Sequence, residues 1–304
     1  GQGSQVVGMG SEFYQKYEIV KKIFKEADDT LNYPISKLIL EGPADKLQLT
    51  MNTQPAILTV SYSIFKVLKD EFGLDLKSFK YFAGHSLGEY SALVCANSLT
   101  FRDSLYLLHE RGKSMQEAVP VGEGSMMAVL GMKTSEIQKL LDSNKKNNGI
   151  CEIANDNADG QVIISGEKKS VESFNILLKE KKIKSIQLNV SAPFHCSLMK
   201  PAAKAMEEKI NSTKFLSPSH KVINNVTAKS EDNSEIIKKL LIDQIFSTVK
   251  WRDSIIEMSK TGVKNFIEIG PGKVLSGLIK RINKNVSFKS INSEQDIKEL
   301  ISNV

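Results

Sequence analysis

Apolar residues in the first part of the chain recur at the spacing expected for amphipathic helices. Residues 13–27 carry five of them on one helical face: Phe13, Val20, Ile23, Phe24 and Ala27. A second apolar segment of helical length runs from Ala56 to Leu68, after Thr53-Gln54-Pro55. Thr100 and Asp103 have capping-box spacing ahead of a third helical pattern, which contains Arg111. The pattern predicts a helix in each of these segments.

Two later segments combine a short apolar strand with a helix across a glycine-containing turn. Lys80–Ala83 ends at a glycine, and helical spacing follows from Leu87 to Ala96. Asn265–Ile269 ends at Gly270-Pro271-Gly272-Lys273, ahead of the helical segment Val274 to Ile282. The second turn lacks the spacing and the Ser or Thr of a phosphate-binding loop, so we interpret it as a structural turn. Strands that alternate with helices predict an α/β domain with a parallel sheet.

Residues 125–190 follow a different order of strands and helices. The predicted strands are Met126–Met132, Ile150–Ala154, Gln161–Ser165 and Ile183–Val190. The predicted helices are Thr134–Leu141 and Glu167–Lys182, and Asp159-Gly160 is a hairpin turn signal. The order βαββαβ is typical of a ferredoxin-like unit. We therefore predict a large α/β domain formed by residues 1–123 and 192–304, interrupted by a small inserted ferredoxin-like domain at 124–191.

The composition is that of a soluble globular protein. Hydrophobic residues make up 41% and charged residues 25%, and no apolar run approaches the ~20 residues that cross a bilayer. The net charge is +6, but no basic stretch is interleaved with aromatic residues, so we expect neither a nucleic-acid nor a membrane partner. The three cysteines form no CxxC pair, so no zinc site or redox pair is indicated. We expect no metal and no bound cofactor.

The motif with the clearest chemistry is Gly84-His85-Ser86-Leu87-Gly88, which fits GxSxG. In this motif a sharp strand-to-helix turn lifts the serine hydroxyl out of the sheet edge. The helix that follows directs its N-terminal N–H groups and positive dipole end to the same place. The motif lies between a predicted strand and a predicted helix, as this mechanism requires. We therefore predict that Ser86 is a nucleophile.

A serine nucleophile needs a base, and four histidines are candidates. His85 adjoins the serine, His109 lies on a helix with an apolar face, and His220 lies in a predicted surface loop. His195 lies where the inserted domain returns to the large domain, and clefts form at such junctions. The pattern favours His195 and leaves the other three open. No Asp or Glu stands out as an orienting partner, and the 109 residues after His195 depart from the hydrolase pattern.

Eight motifs along the chain, in order, are found together in one enzyme family. They are Gly1–Gln5, Thr53–Ala56, Gly84–Leu93, Arg111-Gly112, Met115–Pro120, His195-Cys196, Asn224–Val226 and Glu268–Leu275. With these motifs the sequence resembles the malonyl-CoA:acyl carrier protein transacylases from Gly1 to about Arg281. The resemblance implies an α/β-hydrolase-like core with an inserted ferredoxin-like domain. It also implies malonyl-CoA and acyl carrier protein as partners, and transfer through a malonyl-serine intermediate in fatty-acid synthesis.

The resemblance implies roles for the catalytic residues. Ser86 would attack the thioester, and His195 would take its proton and later activate the phosphopantetheine thiol of the carrier. In this family a main-chain carbonyl holds the histidine, and the matching position is Gln244, so no acid is needed. The oxyanion hole would consist of the backbone N–H groups of Gln2 and Leu87.

The resemblance also implies a substrate clamp. Arg111 matches the arginine that binds the malonyl carboxylate, and a planar guanidinium can pair with a carboxylate through two parallel hydrogen bonds. Gln54, Gln161 and Met115 match further positions near the substrate. The family normally begins with an apolar strand and a Phe-Pro pair ahead of Gly1–Gln5. We expect that the printed sequence, rather than the protein, is truncated there.

Three functional hypotheses follow from the sequence. The first is the malonyltransferase. The second is a serine hydrolase or thioesterase, for which GxSxG alone would suffice, and the third is a non-catalytic module that binds a carrier protein. We expect a monomer, because no long apolar heptad pattern suggests otherwise. The excess of lysine and asparagine is typical of an AT-rich genome, so we expect a bacterial cytoplasm or a plastid-type or mitochondrial compartment of a eukaryote.

Overall fold

The computed structural model describes residues 1–144, 149–190 and 192–302. Within these ranges the helices are α1 (Ser11–Lys16), α2 (Glu18–Leu31), α3 (Ile35–Glu41), α4 (Ala44–Leu47), α5 (Thr50–Lys66), α6 (Leu87–Cys95), α7 (Phe101–Glu117), α8 (Thr134–Asn144), α9 (Lys168–Glu180), α10 (Lys200–Ser212), α11 (Ser234–Gln244), α12 (Trp251–Lys260), α13 (Val274–Ile282) and α14 (Glu294–Ile301). The strands are β1 (Tyr81–Ala83), β2 (Gly124–Leu130), β3 (Cys151–Ala158), β4 (Gln161–Glu167), β5 (Ser185–Gln187), β6 (Lys221–Ile223), β7 (Ser230–Glu231), β8 (Asn265–Ile269) and β9 (Ser287–Ile291). No helix in the described ranges is long and apolar enough to span a bilayer.

Local sequence signals explain several helix boundaries. The predicted cap of α7 is confirmed, because Thr100 Oγ1 accepts a hydrogen bond from the Asp103 N–H at 3.0 Å. The apolar segment 13–27 forms two helices, since the extended backbone of Tyr17 separates α1 from α2. Helix α5 begins at Thr50, so the expectation that Pro55 precedes the helix is wrong. Pro55 lies in the second turn, and proline marks the start of a helix only approximately.

The strands form three small sheets in a mixed α/β arrangement. Strand β1 pairs in parallel with β6, which pairs antiparallel with β7, and β8 pairs in parallel with β9. The remaining sheet has the order β3-β4-β2-β5 and is antiparallel throughout. Within the described residues, parallel pairing therefore occurs in two separate short strand pairs and in one isolated bridge, between Asn155 and Val249, rather than in the one parallel sheet that was predicted.

The four-stranded sheet has a different neighbour on each face. One face packs against α8 and α9 in a separate apolar core, which includes Met127, Val129, Ile164 and Phe174. Met126, Ala128 and Ile163, which alternate with residues of that core along β2 and β4, belong to the main core of the molecule. This sheet therefore joins its own small core to the rest of the protein, and its inner face borders the site described below.

Close backbone contacts position the elements around that site. A Cβ atom at Gly112 would lie 2.5 Å from Met51 Cα, so α5 and α7 cross where only glycine fits. At Gly84 a Cβ atom would lie 2.0 Å from the carbonyl carbon of Gly88, so β1 and α6 also meet without room for a side chain. These two close contacts bring the first turns of α5, and the part of α7 that carries Arg111, next to the turn that carries Ser86.

Candidate active site

Ser86 lies on the turn between β1 and α6 and has an unusual backbone conformation. Its φ is 54° and its ψ is −111°, and a positive φ is uncommon for a residue with a side chain. The Ser86 N–H donates to Asn225 Oδ1 at 2.7 Å, and Asn225 Nδ2 donates to the Gly84 carbonyl oxygen at 2.8 Å. The Asn225 side chain therefore binds both sides of the turn and supports its strained backbone.

The structure selects one of the four histidines as the partner of Ser86. His195 Nε2 lies 2.7 Å from Ser86 Oγ, and His195 Nδ1 lies 2.9 Å from the main-chain oxygen of Gln244. A carbonyl oxygen can only accept, so Nδ1 carries the proton and Nε2 is free to accept from the serine hydroxyl. The other three histidines bind elsewhere: His85 to Asn157 Oδ1, His109 to the Met51 carbonyl and His220 to the Leu76 carbonyl.

His195 is held in the neutral form that a base needs. Its side chain is buried, with 4% of its surface exposed. Burial, and then the positive charge of Arg111, lower the pKa of His195 from 6.5 to about 3. The imidazole is therefore uncharged at neutral pH and can accept the proton of Ser86.

Arg111 brings a buried positive charge to the same hydroxyl. Its side chain is 1% exposed, and its Nη2 lies 3.1 Å from Ser86 Oγ. Its Nη1 donates to Gln54 Oε1 at 2.7 Å, and its Nη2 donates to Gln244 Oε1 at 2.8 Å. Arg111 Nε has no hydrogen-bond partner among the described residues. A buried guanidinium that contacts amides and a hydroxyl, and has a donor to spare, is suited to bind an anion.

Two residues of the site that the sequence pattern did not single out are Glu89 and Asn225. Glu89 is 2% exposed, and its Oε2 accepts from the Asn225 N–H at 2.9 Å and from Gln244 Nε2 at 2.7 Å. Burial raises the pKa of Glu89 to about 7, against the opposing effect of these hydrogen bonds. The pairs are 136 and 155 residues apart in the sequence, so no spacing rule could have identified them. Both residues lie within motifs that carry the family resemblance, which was the one available signal.

All but one of the residues that the sequence proposed for the site line a single cavity of about 210 Å³: Ser86, His195, Arg111, Gln2, Leu87, Gln54, Gln161 and Met115. Gln244 does not line the cavity, but it accepts hydrogen bonds from His195 and Arg111, which do. Gln54 Nε2 contacts Met115 Sδ at 3.8 Å, and Gln161 Oε1 accepts from Arg281 Nη1 at 2.9 Å. Gln2 Oε1 accepts from Thr50 Oγ1 at 2.8 Å. The cavity is lined by both apolar and polar side chains, as small-molecule sites usually are.

The turn Gly270–Lys273 does not present a free helix N-terminus. Glu268 Oε1 accepts from the Leu275 N–H at 3.0 Å, and Glu268 Oε2 accepts from the Ser276 N–H at 2.7 Å. The carboxylate therefore occupies the place at which a phosphate would bind in a phosphate loop. The interpretation of this segment as a structural turn is confirmed. No group of three or more His, Cys, Asp or Glu side chains in the described ranges is arranged to hold a metal ion.

Comparisons with known proteins agree over nearly the whole chain. The family described as acyl transferase domain matches residues 1–300. The malonyl CoA-acyl carrier protein transacylase of Bacillus subtilis (strain 168) is 44% identical over 298 residues, which cover 98% of this chain and 93% of that protein. The crystal structure of acyl-carrier-protein-S-malonyltransferase from Bartonella henselae has a TM-score of 0.96 and 41% identity, and covers 99% of this chain and 96% of that one. A type II PKS acyl-carrier protein in complex with its malonyl-transacylase gives a TM-score of 0.95 at 38% identity, covering 100% and 97% of the two chains.

Proposed function

Since the chain belongs to the acyl transferase domain family, among the malonyl-CoA:acyl carrier protein transacylases, we propose that Ser86, His195 and Arg111 carry out malonyl transfer through a covalent serine ester. The chain is a malonyl-CoA:acyl carrier protein S-malonyltransferase of fatty-acid synthesis. The observation that supports the proposed roles best is the position of Ser86 Oγ, which lies within hydrogen-bond distance of both the imidazole and the guanidinium.

In the first half of the reaction, Ser86 is acylated. Its hydroxyl proton passes to His195 Nε2 as Oγ attacks the thioester carbonyl of malonyl-CoA. The carbon–sulfur bond then breaks, and the coenzyme A sulfur leaves with the proton returned by His195. The backbone N–H groups of Gln2 and Leu87 would stabilise the oxyanion, and such donors contribute on the order of 3 kcal/mol each. The Ser86 N–H is already bound to Asn225, which leaves the N–H of the next residue for this role.

In the second half of the reaction, the phosphopantetheine thiol of the carrier, rather than water, accepts the malonyl group. The thiol proton passes to His195 Nε2, and the sulfur attacks the ester carbonyl. The ester bond to Oγ breaks, and the proton on Nε2 returns to Ser86. The carbonyl of Gln244 holds the protonated imidazole in the same orientation in both halves, because Nδ1 keeps its proton throughout. The malonyl group is thereby moved with no net change in proton number.

Arg111 would bind the malonyl carboxylate beside the nucleophile. The guanidinium contacts Ser86 Oγ in this structure, so it reaches the space that the acyl group fills. Gln54 and Gln244 fix its two terminal nitrogens from one side. Gln161 would contact the substrate from β4, while Met115 supports Gln54 from α7. A carboxylate in this pocket gains a charge-assisted interaction that an acetyl group lacks.

Mass spectrometry after exposure to malonyl-CoA tests the proposal. The wild type should gain the mass of one malonyl group, and Ser86→Ala should gain none. Ser91→Ala is the matched control, since Ser91 lies on the same helix and its Oγ has no hydrogen-bond partner in the described part of the chain. This control should be labelled like the wild type. Labelling of Ser86→Ala would show that another residue is the nucleophile. Continued release of coenzyme A without the carrier, beyond one equivalent per enzyme, would instead indicate a hydrolase.

We also propose that residues 124–191 form an inserted ferredoxin-like domain, and that residues 1–123 and 192–304 form an α/β-hydrolase-like core around it. Strand order supports the first part. Numbered within the unit, the four strands lie in the order second, third, first, fourth, which is the order of ferredoxin-like sheets. The separate apolar core beneath α8 and α9 supports the boundaries. We place the protein in a bacterial cytoplasm rather than in an organelle, because the organisms named above are bacteria.

A further inference from the structure

Glu89 is a buried carboxylate that the proposed reaction does not use. It lies in the first turn of α6, and its main-chain N–H donates to the Ser86 carbonyl oxygen at 3.0 Å. Burying a carboxylate is costly unless hydrogen bonds compensate, and Glu89 receives two, from Asn225 and Gln244. Neither donor is a cation. An aliphatic side chain here would remove an acceptor from both buried donors, so the carboxylate is tied to the positions of Asn225 and Gln244.

Two hydrogen bonds orient the side-chain amide of Gln244, one that it donates to Glu89 and one that it accepts from Arg111. Its Nε2 donates to Glu89 Oε2 at 2.7 Å, and its Oε1 accepts from Arg111 Nη2 at 2.8 Å. If the amide were rotated by half a turn, its NH₂ group would face the guanidinium and its oxygen would face the carboxylate. Donor would then face donor, and acceptor would face acceptor. Gln244 Nε2 also donates to the Ser86 carbonyl oxygen at 3.1 Å and to Asn225 Oδ1 at 3.3 Å. Glu89, which accepts the shortest of these hydrogen bonds, therefore helps to ensure that an oxygen, and not an NH₂ group, faces Arg111.

The same arrangement keeps the nearest carboxyl group one amide away from Arg111. Among the described residues no carboxylate lies within salt-bridge distance of its guanidinium, and its terminal nitrogens bind amides and a hydroxyl. Burial lowers the pKa of Arg111, and Tyr90 and then Glu89 oppose this effect. Glu89 acts across one intervening amide, which leaves the carboxylate-binding side of Arg111 unoccupied by an acid of the protein.

We propose that Glu89 is a positioning residue for acyl selection, which holds the Gln244 amide so that Arg111 presents its guanidinium to the carboxylate of the substrate. This inference rests on the proposed role of Arg111 as the malonyl clamp. Glu89 touches neither substrate nor nucleophile in this scheme. It acts through Gln244, whose side chain is fully buried between the two charged groups.

The test is the ratio of kcat/KM for malonyl-CoA to kcat/KM for acetyl-CoA, measured with the same enzyme preparation and carrier. Misfolded molecules lower both values equally, so the ratio does not depend on the folded fraction. Glu89→Ala should lower the ratio about tenfold, the effect of losing one charge-assisted hydrogen bond. Glu89→Gln keeps an oxygen that can accept both hydrogen bonds, so its ratio should lie closer to the wild type than to Glu89→Ala. Asp28→Asn is the matched control, because Asp28 also accepts a main-chain and a side-chain hydrogen bond but lies outside the site.

A double-mutant cycle tests whether Glu89 acts through Gln244. Adding Glu89→Ala to Gln244→Ala should lower the ratio no further than Gln244→Ala alone. If Glu89→Ala does not fold, Glu89→Asp replaces it, since the shorter side chain keeps the charge but withdraws it from Gln244. An unchanged ratio in the folded variants, with a selective wild type, would overturn this inference and leave the proposed function intact. A wild type that does not prefer malonyl-CoA would overturn the proposed function and this inference with it.

Discussion

Arg111 is a cation that is already buried before the carboxylate that it is proposed to bind arrives. Its guanidinium is desolvated before any substrate arrives, and burial lowers its pKa against the effect of nearby Tyr90 and Glu89. The cost of removing this cation from water is therefore part of the folding free energy rather than of substrate binding. In the proposed reaction a malonyl carboxylate would meet a guanidinium that is already buried, where a charge pair is stronger than at the surface.

The pKa of His195 gives a prediction for the pH dependence of the reaction. Burial and Arg111 both disfavour the imidazolium, so the folded pKa lies near 3 instead of 6.5. As pH falls through 6.5, the folded enzyme keeps its base neutral, although the unfolded chain gains a proton and stability decreases. The acid limb of kcat/KM for malonyl transfer should therefore lie well below pH 6.5. A pH-rate profile, with thermal unfolding recorded at each pH, measures this.

Titration of Glu89, whose pKa is about 7, could also produce an acid limb in the pH-rate profile and be mistaken for that of His195. The variant Glu89→Gln separates the two groups, since it cannot titrate. An acid limb near pH 6.5 or above that persists in Glu89→Gln would contradict the assignment of a depressed pKa to His195. With acetyl-CoA as donor, Arg111→Ala should move the limb to higher pH, because it removes one cause of the depression.

At the scale of elements, the two glycines of GxSxG have different physical roles. A Cβ atom at Gly84 would lie 1.9 Å from the Gly88 carbonyl oxygen, whereas a Cβ atom at Gly88 meets no atom within 4 Å. Gly84→Ala should therefore prevent the close approach of β1 and α6 and destabilise the protein by about 3 kcal/mol or more. Gly88→Ala should be tolerated, and should stabilise α6 by up to about 1 kcal/mol. Urea unfolding of both variants measures this, and equal destabilisation would contradict it.

How far the elements could be predicted depended on the strength of their apolar pattern. Strand β8 and helix α13 have the bounds that the sequence predicted, because an apolar strand ends at Gly-Pro-Gly and a strongly amphipathic helix follows. Helix α10 was not predicted, although Ala202, Met206 and Ile210 are buried at helical spacing. Its apolar face is narrow and rich in alanine, and lysine and glutamate dominate its composition. A weak pattern of this kind does not predict a helix by itself, because tertiary packing provides most of the stability of such a helix.

The candidate site was predictable to the extent that motifs encode it. Ser86 and its turn follow from local sequence, since a glycine pair and a flanking strand and helix are neighbours along the chain. The choice of His195 depended on the predicted inserted domain, and its partner Gln244 came only from the family resemblance. The hydrogen bonds from Gln244 to Glu89 and Arg111 join residues more than 130 positions apart. Tertiary contacts of this kind cannot be obtained from periodicity.

At the scale of the whole molecule, the cavity lies between the four-stranded sheet and the larger core. Met126, Gln161 and Ile163 line it from the sheet, while Ser86 and Arg111 line it from the opposite side. Its shape therefore depends on how firmly the sheet is held. Strand β3 carries the connection, because the Asp156 N–H donates to the Val249 carbonyl and the Val249 N–H donates to the Ala154 carbonyl.

An ion pair reinforces this connection and gives the last prediction. Arg252 on α12 binds the buried carboxylate of Asp156 through both Nε and Nη2, at 3.0 and 2.8 Å. Arg252→Ala leaves that carboxylate buried without its cation, although the Thr134 hydroxyl still donates to it. This hydrogen bond and the partly exposed position of Arg252 limit the expected destabilisation to about 2 kcal/mol. Because the sheet forms one wall of the cavity, KM for malonyl-CoA should rise in the same variant.

The control for Arg252→Ala is an ion pair made by another residue of the same helix, Glu257. Glu257 pairs with Lys229 in an exposed position, and such surface pairs often contribute nothing measurable. Lys229→Ala should therefore change neither the urea midpoint nor KM. Arg252 does not line the cavity. If KM rises in Arg252→Ala but not in Lys229→Ala, the junction between the sheet and the core helps to determine the shape of the cavity. If KM stayed constant while stability fell, the junction would contribute to folding but not to the geometry of the cavity.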